Sequence, residues 1–215
     1  MPKTRMAYSG DAVKETRFTL VRHAESLWNA TGRWQGHGDP PLSLRGIGQA
    51  KDCAARFRAS GERVDRLFCS DLLRTRQTAE AIGEDLGLTP HPTAQLRELA
   101  IGRWTGMTRE EISETDGALL DKFDSGDPDV RPGGGETRNE IRERVRGVVE
   151  RLSVAHAGEH LVLVVHTGVI RALVPKATPA NTESVVISLG GIRDARPSVR
   201  YDGESLPEAF GDVLY

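Results

Sequence analysis

The sequence predicts an α/β protein, a three-layer α/β/α sandwich built around a mainly parallel central sheet. Three observations carry that prediction. Runs at residues 18–21, 64–69 and 160–165 have the length and β-former content of strands. Longer stretches between them repeat apolar residues at helical spacing, the alternation expected of a sheet covered on both faces. The runs also stop abruptly at polar residues, Arg22-His23, Ser70-Asp71 and His166-Thr167, where open α/β sheets place their ligands.

In chain order, residues 1–15 show no sustained period and read as a flexible leader, leaving 16–215 as one domain. The first strand, 18–21, leads into Arg22, His23, Glu25, Ser26 and Asn29. The glycines and the Pro40-Pro41 pair of residues 29–41 exclude regular structure and predict a loop. Ser43 suits an N-cap, with Ile47, Ala50, Ala54 and Phe57 as the buried stripe of a helix to about residue 60. A second strand ends at Cys69. Ser70-Asp71 closes it and caps a helix from 72 to about 86, stopped by Gly87.

A weak extended segment at 89–96 precedes a loop with Glu98, Gly102, Trp104 and Gly106. Thr108 and Glu111 have capping-box spacing for a short helix toward Phe123. After a Gly/Asp/Pro loop at 124–135, Ile141, Val145, Val148, Val149 and Leu152 mark the inner face of a long helix. The strand 160–165 ends at His166, and a helix opens at Thr167. Two strands, 185–189 and about 198–201, complete the count, and residues from Asp202 onward carry no signal.

Length and charge exclude several classes of function. A chain of 215 residues with net charge −2 has room for a core and no basic footprint for nucleic acid or membrane. Cys53 and Cys69 are isolated, so they read as core thiols. The N-terminus lacks an apolar secretory segment, and the longest apolar run, 161–165, is too short to span a bilayer. The expectation is a cytoplasmic protein; a homodimer is left open.

The strand-end clusters can converge, because a parallel sheet brings its carboxyl ends to one edge. They supply two imidazoles, two guanidiniums and, from the loop, the Glu98 carboxyl, an inventory that suits phosphoryl transfer through phosphohistidine. A neutral imidazole nitrogen is a competent nucleophile when a backbone carbonyl orients the other. Arg22 and Arg74 match phosphoryl oxygens with forked donors, and His166 and the N–H groups near Thr167 and Gly168 can add to them. Glu98 can protonate a leaving alkoxide and then take a proton from the attacking water, best with a raised pKa.

These residues sit in stretches that resemble the histidine phosphatase superfamily, in its phosphoglycerate mutase-like branch. Arg22-His23-Ala24-Glu25 with Trp28-Asn29 resembles its signature, and residues 70–79 resemble its second motif. Residues 96–106 resemble its glutamate loop, Pro132 to Glu136 its substrate-loop motif, and residues 165–171 its second histidine motif. The resemblance implies that His23 is the phosphorylated nucleophile and Glu98 the acid/base. Arg22, Arg74 and His166 then form the phosphate pocket, with Asn29, Gln35, Gly36 and Thr167 beside the substrate. It implies no metal or cofactor and a small phosphorylated metabolite as partner. Consistent with that, the chain has no HExxH, no Gly-Lys pair of a P-loop and no GxSxG elbow. Ala24 and Thr167 stand where many members have glycine, implying an altered pocket wall. The segment between Arg171 and Asn181 is short and holds two prolines.

The other candidates read as structural. His37, His91, His156 and His160 are expected in loops or at the surface, and Trp28, Trp34 and Trp104 as loop packing. Arg76 and Arg97 are expected to be solvated, as are Arg142, Arg144 and Arg146 on the outer face of the long helix. Glu25 is either a pocket-edge carboxylate or part of the turn. The family's mutases carry a longer insertion after the glutamate loop, with a tyrosine and a basic pair. Here Ile101 replaces that tyrosine and 108–135 has no adjacent basic pair. A phosphatase is expected, with a phosphoglycerate-type mutase kept open by Arg109 and a non-catalytic binding module as the further alternative.

Overall fold

The computed structural model describes residues 14–189 and the backbone of two short strands at 198–201 and 204–205. Most of the expected leader, residues 1–13, lies outside the described residues. The chain forms a mixed α/β sandwich. Its central sheet contains β1 (Thr16–Arg22), β2 (Arg66–Ser70), β3 (His91–Thr93), β4 (His160–Val165), β5 (Ser184–Leu189), β6 (Ser198–Tyr201) and β7 (Glu204–Ser205), in the order β3-β2-β4-β1-β5-β6-β7. The first four strands are mutually parallel, and β5, β6 and β7 are added through antiparallel pairings. β7 had no counterpart in the sequence pattern.

β1 and β4 lie at the centre, with Leu20 beside Leu163 and Arg22 beside Val165. Every residue of β4 is buried, because both faces of the sheet are covered. Leu161, Leu163 and Val165 join Phe18 and Leu20 on one face. They pack there against α4 (Arg109–Asp124), α5 (Arg138–Ala155) and α6 (Thr167–Leu173). Val162 and Val164 join Val21, Leu67 and Cys69 on the other face, against α2 (Leu44–Ser60) and α3 (Leu73–Leu86). Burial pushes both thiols up, Cys53 to about 11 and Cys69 to about 12, as inert core cysteines.

Caps place most helices where their side chains predict. The Ser43 hydroxyl accepts from the Gly46 N–H, and Thr108 with Glu111 and Thr137 with Glu140 close two capping boxes. The start of α3 differs from expectation. Its N-cap, Leu72, offers no side chain, and the Leu73 N–H is met by Asp39 Oδ1 at 2.5 Å from a distant loop. Asp71 is instead committed to Arg97. The stripe of α2 is also shifted: Ile47 is exposed, and Gly46, Ala50, Cys53 and Ala54 face inward. A Cβ on Gly46 would lie 1.9 Å from the Glu25 carbonyl oxygen, so the first turn docks through its glycine. Among the described residues, no helix is long and apolar enough to cross a membrane.

Candidate active site

β1 ends by delivering Arg22 and His23 to the carboxyl edge of the sheet. The His23 N–H donates to the Val165 carbonyl, and its own carbonyl accepts from Asn181 Nδ2 at 2.7 Å. The ring is buried, with Nδ1 at 2.7 Å from the Ala24 carbonyl oxygen. A carbonyl oxygen can only accept, so Nδ1 carries the proton and Nε2 keeps its lone pair. Burial, with Arg74 and Arg22 nearby, pushes the His23 pKa well below the ordinary histidine value. The imidazole is therefore neutral at pH 7 with its lone pair at a defined nitrogen.

Arg74, from the first turn of α3, is fully buried. Its Nη1 donates to the Gly38 carbonyl at 2.7 Å and its Nη2 to the Gly36 carbonyl at 3.0 Å. Burial brings its pKa down to about 10, against the pull of Glu98 and Asp39, so it stays charged near neutrality. Gly36 turns the loop with φ +47°, and a Cβ there would lie 2.5 Å from Ile101 Cγ1. Arg22 spends Nη1 on the Pro179 carbonyl at 3.0 Å. His166, just past β4, is fully buried, its ring centroid 5.2 Å from that of His23 in an edge-on arrangement. Burial, Arg74 and His23 together push its pKa well down.

Among the described residues, the buried side-chain nitrogens without a hydrogen-bond partner are Arg22 Nε, Arg74 Nε and both ring nitrogens of His166. Each unmet buried polar group costs about 1–3 kcal/mol. Their presence together, on two guanidiniums and an imidazole beside His23, describes a cradle for an oxyanion.

Glu98 completes the group. Its Oε1 accepts from the Leu99 N–H at 2.8 Å and its Oε2 from the Gly168 N–H at 3.1 Å. A Cβ on Gly168 would lie 2.1 Å from Glu98 Oε1, so a side chain at 168 would push that carboxylate aside. The Glu98 loop is stiffly held. Arg97 grips Asp71 through two bonds of 2.7 and 2.6 Å, and the buried Trp104 donates Nε1 to Asp116 at 2.7 Å.

The structure thus gathers Arg22, His23, Arg74, Glu98 and His166 at one edge. The other candidate residues are engaged in local contacts. Asn29 Oδ1 accepts from the Ser26 N–H, the Ser26 hydroxyl accepts from the Asn29 N–H and caps the short α1 (Leu27–Ala30), and that hydroxyl donates to Gln35 Oε1 at 2.8 Å. Gly36 supports Arg74 through its carbonyl. The Gly168 N–H serves Glu98 instead of an oxyanion. The Ala24 methyl packs with Leu42 and Ala50 in a small core, so it forms no pocket wall. Glu25 turns to Ser43 and Arg45, and Arg109 pairs with Asp124.

His160 is buried, not at the surface. Arg97 pairs with Asp71, and Arg144 is tied to the glutamate loop, because the helix face expected to meet solvent is covered there by that loop. Sequence reading missed Asn181, the Pro179 carbonyl, Asp39 and Thr78, whose hydroxyl accepts from the Ala24 N–H. Asn181 reaches His23 across 158 positions, and no local pattern signals such a contact.

The model of the histidine phosphatase superfamily (branch 1) matches residues 18–186. The chain belongs to that superfamily. The matched span runs from β1 into β5 and takes in all five gathered residues. Two relatives of this superfamily member illustrate its surroundings. A phosphoglycerate mutase-like protein 4 of Arabidopsis thaliana is 33% identical over 175 residues, 80% of this chain and 76% of that one. A phosphoserine phosphatase 1 of Hydrogenobacter thermophilus is 37% identical over 157 residues, covering 73% and 74%. Among solved structures, a mycobacterial glucosyl-3-phosphoglycerate phosphatase in complex with VO3 has a TM-score of 0.77 at 28% identity, covering 86% of this chain and 97% of that one.

Proposed function

We propose that the protein is a metal-independent phosphatase that hydrolyses a small phosphomonoester through a phosphohistidine intermediate. The observation that carries this reading is the set of unmet buried donors on Arg22, Arg74 and His166 beside a neutral His23 whose Nδ1 proton is already placed. The guanidiniums supply the positive charge that phosphoryl transfer requires. Relatives named for phosphoserine and for glucosyl-3-phosphoglycerate support the phosphomonoester class.

In this mechanism His23 Nε2 attacks phosphorus and the ester P–O bond breaks. Glu98, as general acid, delivers a proton to the leaving alkoxide. Water then attacks the phosphohistidine, gives a proton to Glu98, and the N–P bond breaks to release inorganic phosphate. The Ala24 carbonyl holds the Nδ1–H throughout and shares the positive charge that develops on the ring. A mutase needs a cation for a second acidic group, and Arg109, the residue that kept this alternative open, is engaged by Asp124.

A panel of phosphomonoesters assayed with and without chelator, beside His23→Ala, tests the reading. Phosphate release is expected to survive chelator and to fall by roughly 10³-fold or more in His23→Ala, as for loss of a nucleophile. Isomerisation of phosphoglycerate without net hydrolysis moves the assignment to a mutase. Activity lost with chelator and restored by metal overturns metal independence.

A further inference from the structure

Arg144 was expected on a solvated helix face, and its surroundings are otherwise. Its side chain is 23% exposed and that of its partner Glu136 16%, making Arg144 the least exposed arginine in any ion pair among the described residues. The contact is a full fork, Nε to Glu136 Oε1 at 3.0 Å and Nη2 to Oε2 at 2.8 Å. The remaining Nη1 donates to two backbone carbonyls, Gln95 at 2.7 Å and Arg97 at 3.0 Å. Arg97 is the residue immediately before Glu98. Glu136 in turn grips the chain two residues beyond Glu98: its N–H donates to the Ala100 carbonyl at 2.8 Å, and its Oε2 accepts from the Ala100 N–H at 3.4 Å.

The peptide units on both sides of Glu98 therefore hang from one ion pair based on α5. The glycines beside Glu136 let the two segments meet. A Cβ on Gly135 would lie 2.0 Å from the Ala100 carbonyl oxygen, and one on Gly133 2.2 Å from that of Ile101. Backbone at this distance leaves the Glu98 loop nowhere to slide while the fork is intact. Arg–carboxylate forks owe their geometric precision to planarity, which a lysine cannot reproduce.

We infer that Arg144, acting through Glu136, is the positioning residue that holds Glu98 at the geometry of proton transfer. It touches no reacting atom and works by fixing the backbone from Gln95 to Ala100. The inference rests on the proposed role of Glu98 as acid, so its signature is a loss of catalysis that depends on how much the leaving group needs a proton. An alkyl phosphate needs that proton, whereas p-nitrophenolate departs with little help. The constant kcat/KM is the right readout, because it covers the steps through transfer to His23 and excludes hydrolysis of the phosphoenzyme.

The experiment compares wild type, Glu98→Gln, Arg144→Lys and Glu136→Gln on an alkyl phosphate and on p-nitrophenyl phosphate, with thermal unfolding of each. Arg144→Lys is expected to lower kcat/KM on the alkyl phosphate by at least roughly tenfold more than on p-nitrophenyl phosphate, within what a small misplacement of a catalytic group costs. Glu136→Gln is expected to follow the same pattern, and Glu98→Gln to show it most strongly. Equal losses on both substrates, or none, in folded Arg144→Lys and Glu136→Gln overturn the inference while Glu98 keeps its role. No leaving-group dependence in Glu98→Gln overturns the acid role, and the positioning role with it.

Discussion

β4 carries a buried histidine at each end, and the two are treated in opposite ways. His160, at its amino end, is fully satisfied. Its Nε2 lies 2.8 Å from the Thr19 hydroxyl, its Nδ1 3.0 Å from the Arg63 carbonyl, and its N–H meets Asp65. His166, just past the carboxyl end, is more deeply buried and has neither ring nitrogen partnered. One imidazole ties strands together; the other is held ready in a site that costs stability. Burial alone does not tell these two histidines apart, whereas hydrogen-bond accounting does.

The largest effect expected from this contrast is a double dissociation. His166→Ala should lower kcat/KM by roughly 10²-fold or more, the scale for losing a donor to a developing oxyanion, with little change in unfolding temperature. His160→Ala should leave kcat/KM near wild type and destabilise the fold by about 1–3 kcal/mol, the cost of orphaning its partners and opening a gap. Denaturant unfolding and steady-state kinetics on the same preparations check both. If His166→Ala proves the less stable protein and His160→Ala the less active, the contrast is wrong.

Ligand linkage sharpens the comparison at the next scale down. Inorganic phosphate binding to the unmet donors of Arg22, Arg74 and His166 should stabilise wild type by about 2.7 kcal/mol at a hundred times its Kd. The gain should persist in His160→Ala and be largely lost in Arg74→Lys, which removes the buried Nε while keeping a cation. A phosphate-dependent rise in unfolding temperature of equal size in all three would place the bound anion elsewhere.

How much of this was legible in the sequence follows from distance along the chain. The parallel sheet could be read because β1, β2 and β4 are compact strand-like runs, and β2 and β4 are each followed at once by a helix. Arg22, His23 and His166 stand at strand ends, and Arg74 lies in the first turn after β2, so their convergence follows from topology alone. What stayed hidden is what long-range packing decides. Helical periodicity put Arg144 on a solvent face because it cannot know that the Glu98 loop lies over that face. His160 looked like a surface residue because its satisfaction comes from Thr19 and Arg63 on other segments. Asp39 caps α3 from another loop, so Ser70-Asp71, with the right composition, was credited with the cap. The short proline-containing segment after Arg171 carries no local signal of its role, yet it supplies Pro179 and Asn181 to Arg22 and His23.

The smallest effect is the dependence of stability on pH, where the two ends of β4 again part. Burial holds the pKa of His23, His166 and His160 below the ordinary 6.5. Below about pH 6.5 the unfolded chain gains protons that the folded chain refuses, so stability should fall as pH drops from 6.5 toward 5. Asp65, Asp71, Asp116 and Glu140, whose pKa values are lowered by hydrogen bonds and ion pairs, lose their contributions only below about pH 4. The window above pH 5 therefore belongs to the histidines. His23 and His166 face the Arg74 cation and each other, and a bound phosphate would offset that charge and raise their folded pKa values. Saturating phosphate should flatten the acid slope in wild type and leave only the share owed to His160, which lies beyond its reach. Removing that share in His160→Ala should make the slope in phosphate flatter still. An acid slope indifferent to phosphate in both proteins would show that the pair beside Arg74 does not sense the anion.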